Sequence, residues 1–141
     1  MKIAVIGGAG YIGSHTTREL LDRGHEVCVF DNLSSGLEQN LFPEAGFVKG
    51  DILHPEEIGK FLNDFKPEGL VHLAAFKAAG ESMINPEKYS VNNITGSINI
   101  LNAASAAGVK YFVFSSSAAT YGAPKYQPVD EKHPTEPENY Y

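Results

Sequence analysis

The chain has little of what would place it in several large functional classes. Cys28 is the single cysteine of 141 residues, so no intrachain disulfide can form and no thiolate cluster can hold a metal. The histidines show no metal-ligand spacing either: His15 falls on the first helical stretch, His72 inside an apolar run, and His25, His54 and His133 in connections. Basic residues are outnumbered, 11 Lys and Arg against 17 Asp and Glu, for a net charge of −6. That balance argues against a nucleic-acid or anionic-membrane surface. No stretch approaches the roughly 18 apolar residues of a membrane span. The run Ile3-Ala4-Val5-Ile6 breaks at once into glycine and is too short for a signal peptide. A reducing cytoplasm is the expected location, with Cys28 a small buried hydrophobe within Val27–Phe30. What remains is ordinary for a globular chain: 43% hydrophobic, 20% charged, and long enough for one domain with one good core.

Glycine, by contrast, is concentrated where it matters. Residues 7–13 read Gly-Gly-Ala-Gly-Tyr-Ile-Gly, after the first apolar run and before an amphipathic stretch that ends at Gly24. Strand, glycine turn and helix in that order form a dinucleotide pyrophosphate site. Gly7 permits the tight turn, Gly10 lets a diphosphate approach the backbone, and Gly13 lets the helix pack close to the sheet. The first-turn amides and the positive end of the helix dipole then face the anion. An ordinary glycine-rich turn is the bland alternative.

The rest of the chain alternates. Strands are expected over 2–6, 26–30, 46–49, 70–75 and 110–115. Helices are expected over 11–23, 55–65 and about 86–107, and the tail from Gly122 reads as loop because of Pro124, Pro128, Pro134 and Pro137. This is an α/β pattern, a doubly wound parallel sheet built through right-handed crossovers. Ligands of such sheets sit at the carboxyl ends of the strands. There the second strand closes on Asp31, 18 residues beyond Gly13, whose carboxylate can accept from ribose hydroxyls and repel a 2′-phosphate. No Lys or Arg occurs in the following Asn32-Leu33-Ser34-Ser35-Gly36, which favours NAD over NADP. A turn or cap role for Asp31 is the alternative. Asp51-Ile52 fits either an adenine edge or an approach to the next helix. After the fourth strand, Ala74-Ala75-Phe76-Lys77 allows close backbone approach, and Lys77 reads as either a phosphate contact or a solvated lysine. Ser115-Ser116-Ser117 brings three hydroxyls to the end of the fifth strand.

These residues resemble a known family. The matches are Gly7–His15, Asp31–Gly36, Lys77-Ala78-Ala79-Gly80-Glu81-Ser82, Asn92-Asn93-Ile94-Thr95-Gly96, Ser115–Gly122 and Pro137-Glu138-Asn139-Tyr140-Tyr141. The chain is similar, over essentially its whole length, to the N-terminal part of the extended short-chain dehydrogenases/reductases, and most closely to their UDP-glucose 4-epimerases. The resemblance implies a Rossmann fold over 1–141, incomplete at its C-terminal side and without the substrate-binding lobe. It implies NAD as cofactor and inversion at C4 of a UDP-hexose through a 4-keto sugar. It assigns Tyr11 and Ile12 to the pyrophosphate, Asp31 to Gly36 to adenosine, Asp51 and Ile52 to adenine, and Leu73, Ala74, Ala75, Phe76 and Lys77 to the nicotinamide half. It adds Asn92 and Ser115 as cofactor contacts, Ser117 as the catalytic hydroxyl residue and Tyr141 as the catalytic base. The related dehydratases carry an acidic pair where this chain has Ala118 and Ala119, so elimination has no evident acid. The family's lysine would fall four residues past Tyr141, so the 141 residues alone are expected to be inactive. A UDP-sugar is the implied substrate, and a homodimer is allowed for the full-length protein. Another nucleotide-sugar epimerase, or a non-catalytic NAD-binding module, is the alternative reading. The module has no need of Ser117 and Tyr141 together.

Overall fold

A computed structural model describes all 141 residues. Five parallel strands form one sheet in the order β3-β2-β1-β4-β5. They are β1 (Lys2–Ile6), β2 (Glu26–Asp31), β3 (Gly46–Lys49), β4 (Gly69–His72) and β5 (Tyr111–Phe114). The helices are α1 (Tyr11–Asp22), α2 (Pro55–Phe65), α3 (Ala79–Ile84), α4 (Pro86–Tyr89) and α5 (Gly96–Ala106). The chain winds outward from β1 to β3, then crosses back so that β4 pairs with the other side of β1. The order therefore reverses between β1 and β4, where such sheets open a crevice.

Alternation along β1 sends successive side chains to opposite faces. Ala4 and Ile6 join Phe30, Ile58, Phe61, Leu62, Leu70 and Ile100 beneath α2 and α5. Ile3 and Val5 join Val27 and Val29, with Leu20 and Leu21 of α1 packed against them. Cys28 is buried in the first cluster, as its setting implied. The helix α2 begins at Pro55, a position where a missing N–H is harmless, and ends on Lys66 in the left-handed conformation, φ 53°.

Two expected elements differ. The fourth strand ends at His72 rather than Ala75. Leu73 still donates to the Ile6 carbonyl at 2.9 Å, but β1 turns away at Gly7, and Ala74 and Ala75 lose their ladder partner. The long helix from Pro86 is interrupted by a π-helical stretch, Ser90–Thr95, between α4 and α5. The wider turn carries Asn92 and Asn93, a placement typical of functional sites.

Candidate functional site

The glycine turn has the three geometries its spacing implied. Gly7 has φ +86°, and a Cβ there would lie 2.7 Å from the Ala74 nitrogen, so the ends of β1 and β4 meet only across a glycine. A Cβ on Gly13 would lie 2.6 Å from the Gly8 Cα and closer still to the Gly7 carbonyl oxygen. At Gly10 the only neighbour is the Gly7 oxygen at 3.4 Å, so the face toward the crevice is open. Gly10 is also the N-cap of α1 and supplies no side-chain acceptor, and the first turn holds no acidic residue. The free amides and the positive helix end are left for an anion.

Asp31, nine-tenths buried at the end of β2, is tied to both sides. Its Oδ2 accepts the Ala9 amide at 3.0 Å and its Oδ1 accepts the Leu33 amide at 2.8 Å. Leu33 takes φ +60°, and the Asn32 side chain accepts the Ser34 amide at 2.9 Å. These local bonds shape the loop toward Gly36, where a Cβ would lie 2.7 Å from that of Ala9.

A single cleft runs from this turn across the carboxyl ends of the strands. Gly7, Gly10, Tyr11, Ile12, Gly13, Asp31, Asn32, Ser34, Ser35, Gly36, Ile52, Leu73, Ala74, Ala75, Phe76, Lys77, Asn92, Ser115 and Tyr141 all line it. Lys77 is its only lysine or arginine, and follows β4, which β1 separates from the β2 that ends on Asp31. Three expected residues lie elsewhere. Leu33 shapes the loop rather than lining the cleft. Asp51 faces a neighbouring hollow, where it accepts from the Asn32 amide group and the Leu53 N–H, both at 2.9 Å. Both oxygens keep acceptor capacity toward that hollow, which shares Asn32, Ser34, Phe76 and Asn92 with the cleft. Ser117 accepts the Ala119 amide at 3.1 Å and caps the 3₁₀ turn Ala118–Tyr121. The triplet divides because Ser115 still bonds the sheet, donating to the His72 carbonyl at 3.1 Å, while Ser117 has entered the turn.

Phe30, Gly50 and Ser116 also line the cleft. Ser116 carried a signal, its place in the triplet. Phe30 and Gly50 had none, because their place at the cleft depends on where two neighbouring strands end. Behind the cleft, Asn93 clamps Phe76: its Oδ1 accepts the Phe76 amide and its Nδ2 donates to the Phe76 carbonyl, both at 2.9 Å. Ser97 Oγ donates to the Asn93 carbonyl at 2.6 Å and lies 2.9 Å from His72 Nε2. With its one hydrogen so used, the hydroxyl accepts from His72, which is the Nε2–H tautomer. Its Nδ1 is buried without a partner, and burial pushes the His72 pKa down to about 4.

A parallel sheet that reverses order at an open glycine turn, with an acidic residue closing the adjoining strand, defines a dinucleotide-binding Rossmann domain. The model of the NAD dependent epimerase/dehydratase family matches residues 3–141. The chain belongs to that family. It is 49% identical over 141 residues to UDP-glucose 4-epimerase of Lactobacillus helveticus, covering all of this chain and 43% of that protein. The crystal structure of UDP-glucose 4-epimerase from Brucella ovis in complex with NAD superposes with a TM-score of 0.96 at 38% identity, over 99% of this chain and 43% of that one. The Thermotoga maritima UDP-glucose 4-epimerase with UDP-glucose gives 0.94 at 38% identity, over 100% and 46%. The chain thus spans under half the length of these relatives.

Proposed function

We propose that this chain is the NAD-binding domain of a UDP-glucose 4-epimerase and carries two of its catalytic groups. The observation that carries the reading is the cleft itself: it joins the glycine turn and Asp31 at one end to Lys77, Ser115, Ser116 and Tyr141 at the other. The uncapped start of α1, the open face at Gly10 and the buried Asp31 carboxylate fit a dinucleotide diphosphate with an unphosphorylated ribose. When bound, NAD supplies a reversible hydride acceptor for C4 of the sugar.

The chain's own residues hold and move the proton. Tyr141, as the phenolate, accepts it from the sugar 4-hydroxyl to become the phenol, and returns it after the 4-keto sugar has presented its other face. The Ser117 hydroxyl keeps its hydrogen free, since its oxygen only accepts from Ala119, and that hydrogen orients the sugar oxygen. Lys77 neutralises negative charge at the far end of the cleft. Ala118 and Ala119 offer no acid for dehydration.

A second copy of the chain is the proposed partner. The helical run past Pro86 leaves Val91, Ile94, Ile98 and Leu101 exposed at the spacing of one stripe, a surface that a homodimer would cover. No helix is long and apolar enough to cross a membrane. The net charge of −6 supports the absence of nucleic-acid partners, and the unpaired Cys28 supports a reducing cytoplasm.

The test is to supply UDP-galactose to the protein carrying this chain and to follow UDP-glucose through its dehydrogenase. Sustained turnover without net NAD consumption by the epimerase is expected. Oxidation of the sugar with stoichiometric loss of NAD, or release of a dehydrated sugar, would overturn the reading.

A further inference from the structure

The motif Lys77–Ser82 contributes Lys77 to the cleft and leaves Glu81 and Ser82 without a role there. Both lie on α3, and both are turned toward the tyrosine end of the site. Ser82 has no exposed surface. Its hydroxyl donates to the Ala79 carbonyl at 2.6 Å and accepts the backbone amide of Tyr141 at 3.0 Å. This bond bridges 59 positions of sequence and fixes the tyrosine's main chain. The ring is fixed separately. Tyr89, 2% exposed, meets the Tyr141 ring edge-on with centroids 6.4 Å apart. Tyr89 in turn donates its hydroxyl to Glu81 Oε2 at 2.9 Å, and Lys88 Nζ donates to Oε1 of the same carboxylate at 2.6 Å. The Lys88 ammonium and then the Tyr89 hydroxyl hold Glu81 below the usual carboxylate range. Next door, the Tyr140 hydroxyl pairs with Ser90 Oγ at 2.5 Å and its amide donates to Met83 Sδ at 3.2 Å. The segment from α3 to Ser90 is thus a seat for the chain's two final tyrosines.

We propose that Ser82 is a positioning residue for Tyr141: its buried hydroxyl anchors the tyrosine's backbone so that the phenol is held at the sugar end of the cleft. The inference deepens the epimerase reading and rests on it. Ser82 does not line the cleft, so it acts through Tyr141 alone. A shift of about 1 Å in a reacting group can cost roughly a hundredfold in rate, because alignment is lost while binding survives.

The experiment compares the unmodified protein with Ser82→Ala and Ser82→Cys at a temperature where all three are folded. Three quantities are measured: hydrogen exchange at the Tyr141 amide, epimerisation kinetics, and NAD affinity. Ser82→Ala should speed exchange at Tyr141 and lower kcat by about 10- to 100-fold, with KM and the NAD dissociation constant unchanged. Ser82→Cys keeps the size and a weak acceptor, and should fall between. Unchanged exchange, an unchanged kcat, or a loss shared equally by kcat and NAD affinity would overturn the positioning role. An unmodified protein that does not epimerise would overturn the functional reading instead. Amide exchange would then still decide whether Ser82 anchors Tyr141.

Discussion

The Asp31 carboxylate accepts the backbone amide of Ala9 across a 3.0 Å bond, so the acid that closes β2 also braces the glycine turn that follows β1. One side chain thereby links the end of the cleft proposed for adenosine to the turn proposed for the diphosphate. The second oxygen holds the Leu33 amide, and each oxygen retains acceptor capacity toward a ribose.

That arrangement sets the cofactor preference. No lysine or arginine lines the cleft near Asp31, so a 2′-phosphate would meet a buried carboxylate without a counter-charge. The unmodified protein should bind NAD far more tightly than NADP. Asp31→Ala should narrow the difference, and should also weaken NAD binding because the brace on Ala9 is lost. Parallel titrations of both cofactors against both proteins provide the check, and equal affinities in the unmodified protein would contradict it.

Lys77 stands alone as a cation at the other end. A charge-assisted hydrogen bond from it to the bound cofactor or sugar nucleotide is worth enough to change affinity roughly tenfold or more. Lys77→Met should weaken NAD or UDP-sugar binding by that factor. Unchanged dissociation constants for both ligands would return Lys77 to the role of a solvated lysine.

His72 predicts an acid-sensitive fold. Its pKa is about 4 in the folded chain, because burial disfavours the charged ring, against 6.5 when unfolded. Between those values the unfolded state binds more protons, so stability is full above about pH 6.5 and falls as pH drops toward 4. The loss amounts to no more than about 3 kcal/mol. Urea midpoints measured from pH 7.5 down to 4.5 should decline, and His72→Gln should flatten that decline. An equally steep decline in the variant would assign it to other groups.

Much of this was legible from local rules. The glycine spacing implied the turn geometry because each requirement, a positive φ at Gly7 and no Cβ at Gly13, is met within a few residues. Asp31 was legible for the same reason: a polar residue ending an apolar strand has few places to go. What escaped depends on neighbours distant in sequence. β4 stops at His72 because β1 turns away at Gly7, which no pattern within 70–75 records. The π-helical stretch exists where Asn93 must reach the Phe76 backbone, 17 residues earlier. Asp51 suited two roles by position alone, and its contacts with Asn32, 19 residues earlier, and Leu53 could not be read from position. That the Ser117 oxygen also caps a turn depends on the fold of Ala118–Tyr121, and the hydroxyl hydrogen stays free.

The central claim is that Tyr141 is the proton acceptor of an NAD-dependent 4-epimerisation. Its most direct test is kcat for UDP-galactose conversion by the protein carrying Tyr141→Phe, which keeps the ring and its edge contact with Tyr89 and removes only the hydroxyl. General acid–base groups contribute about 10²–10⁴-fold, so kcat should fall at least about a hundredfold while NAD affinity is retained. Turnover within a few fold of the unmodified protein would contradict the account.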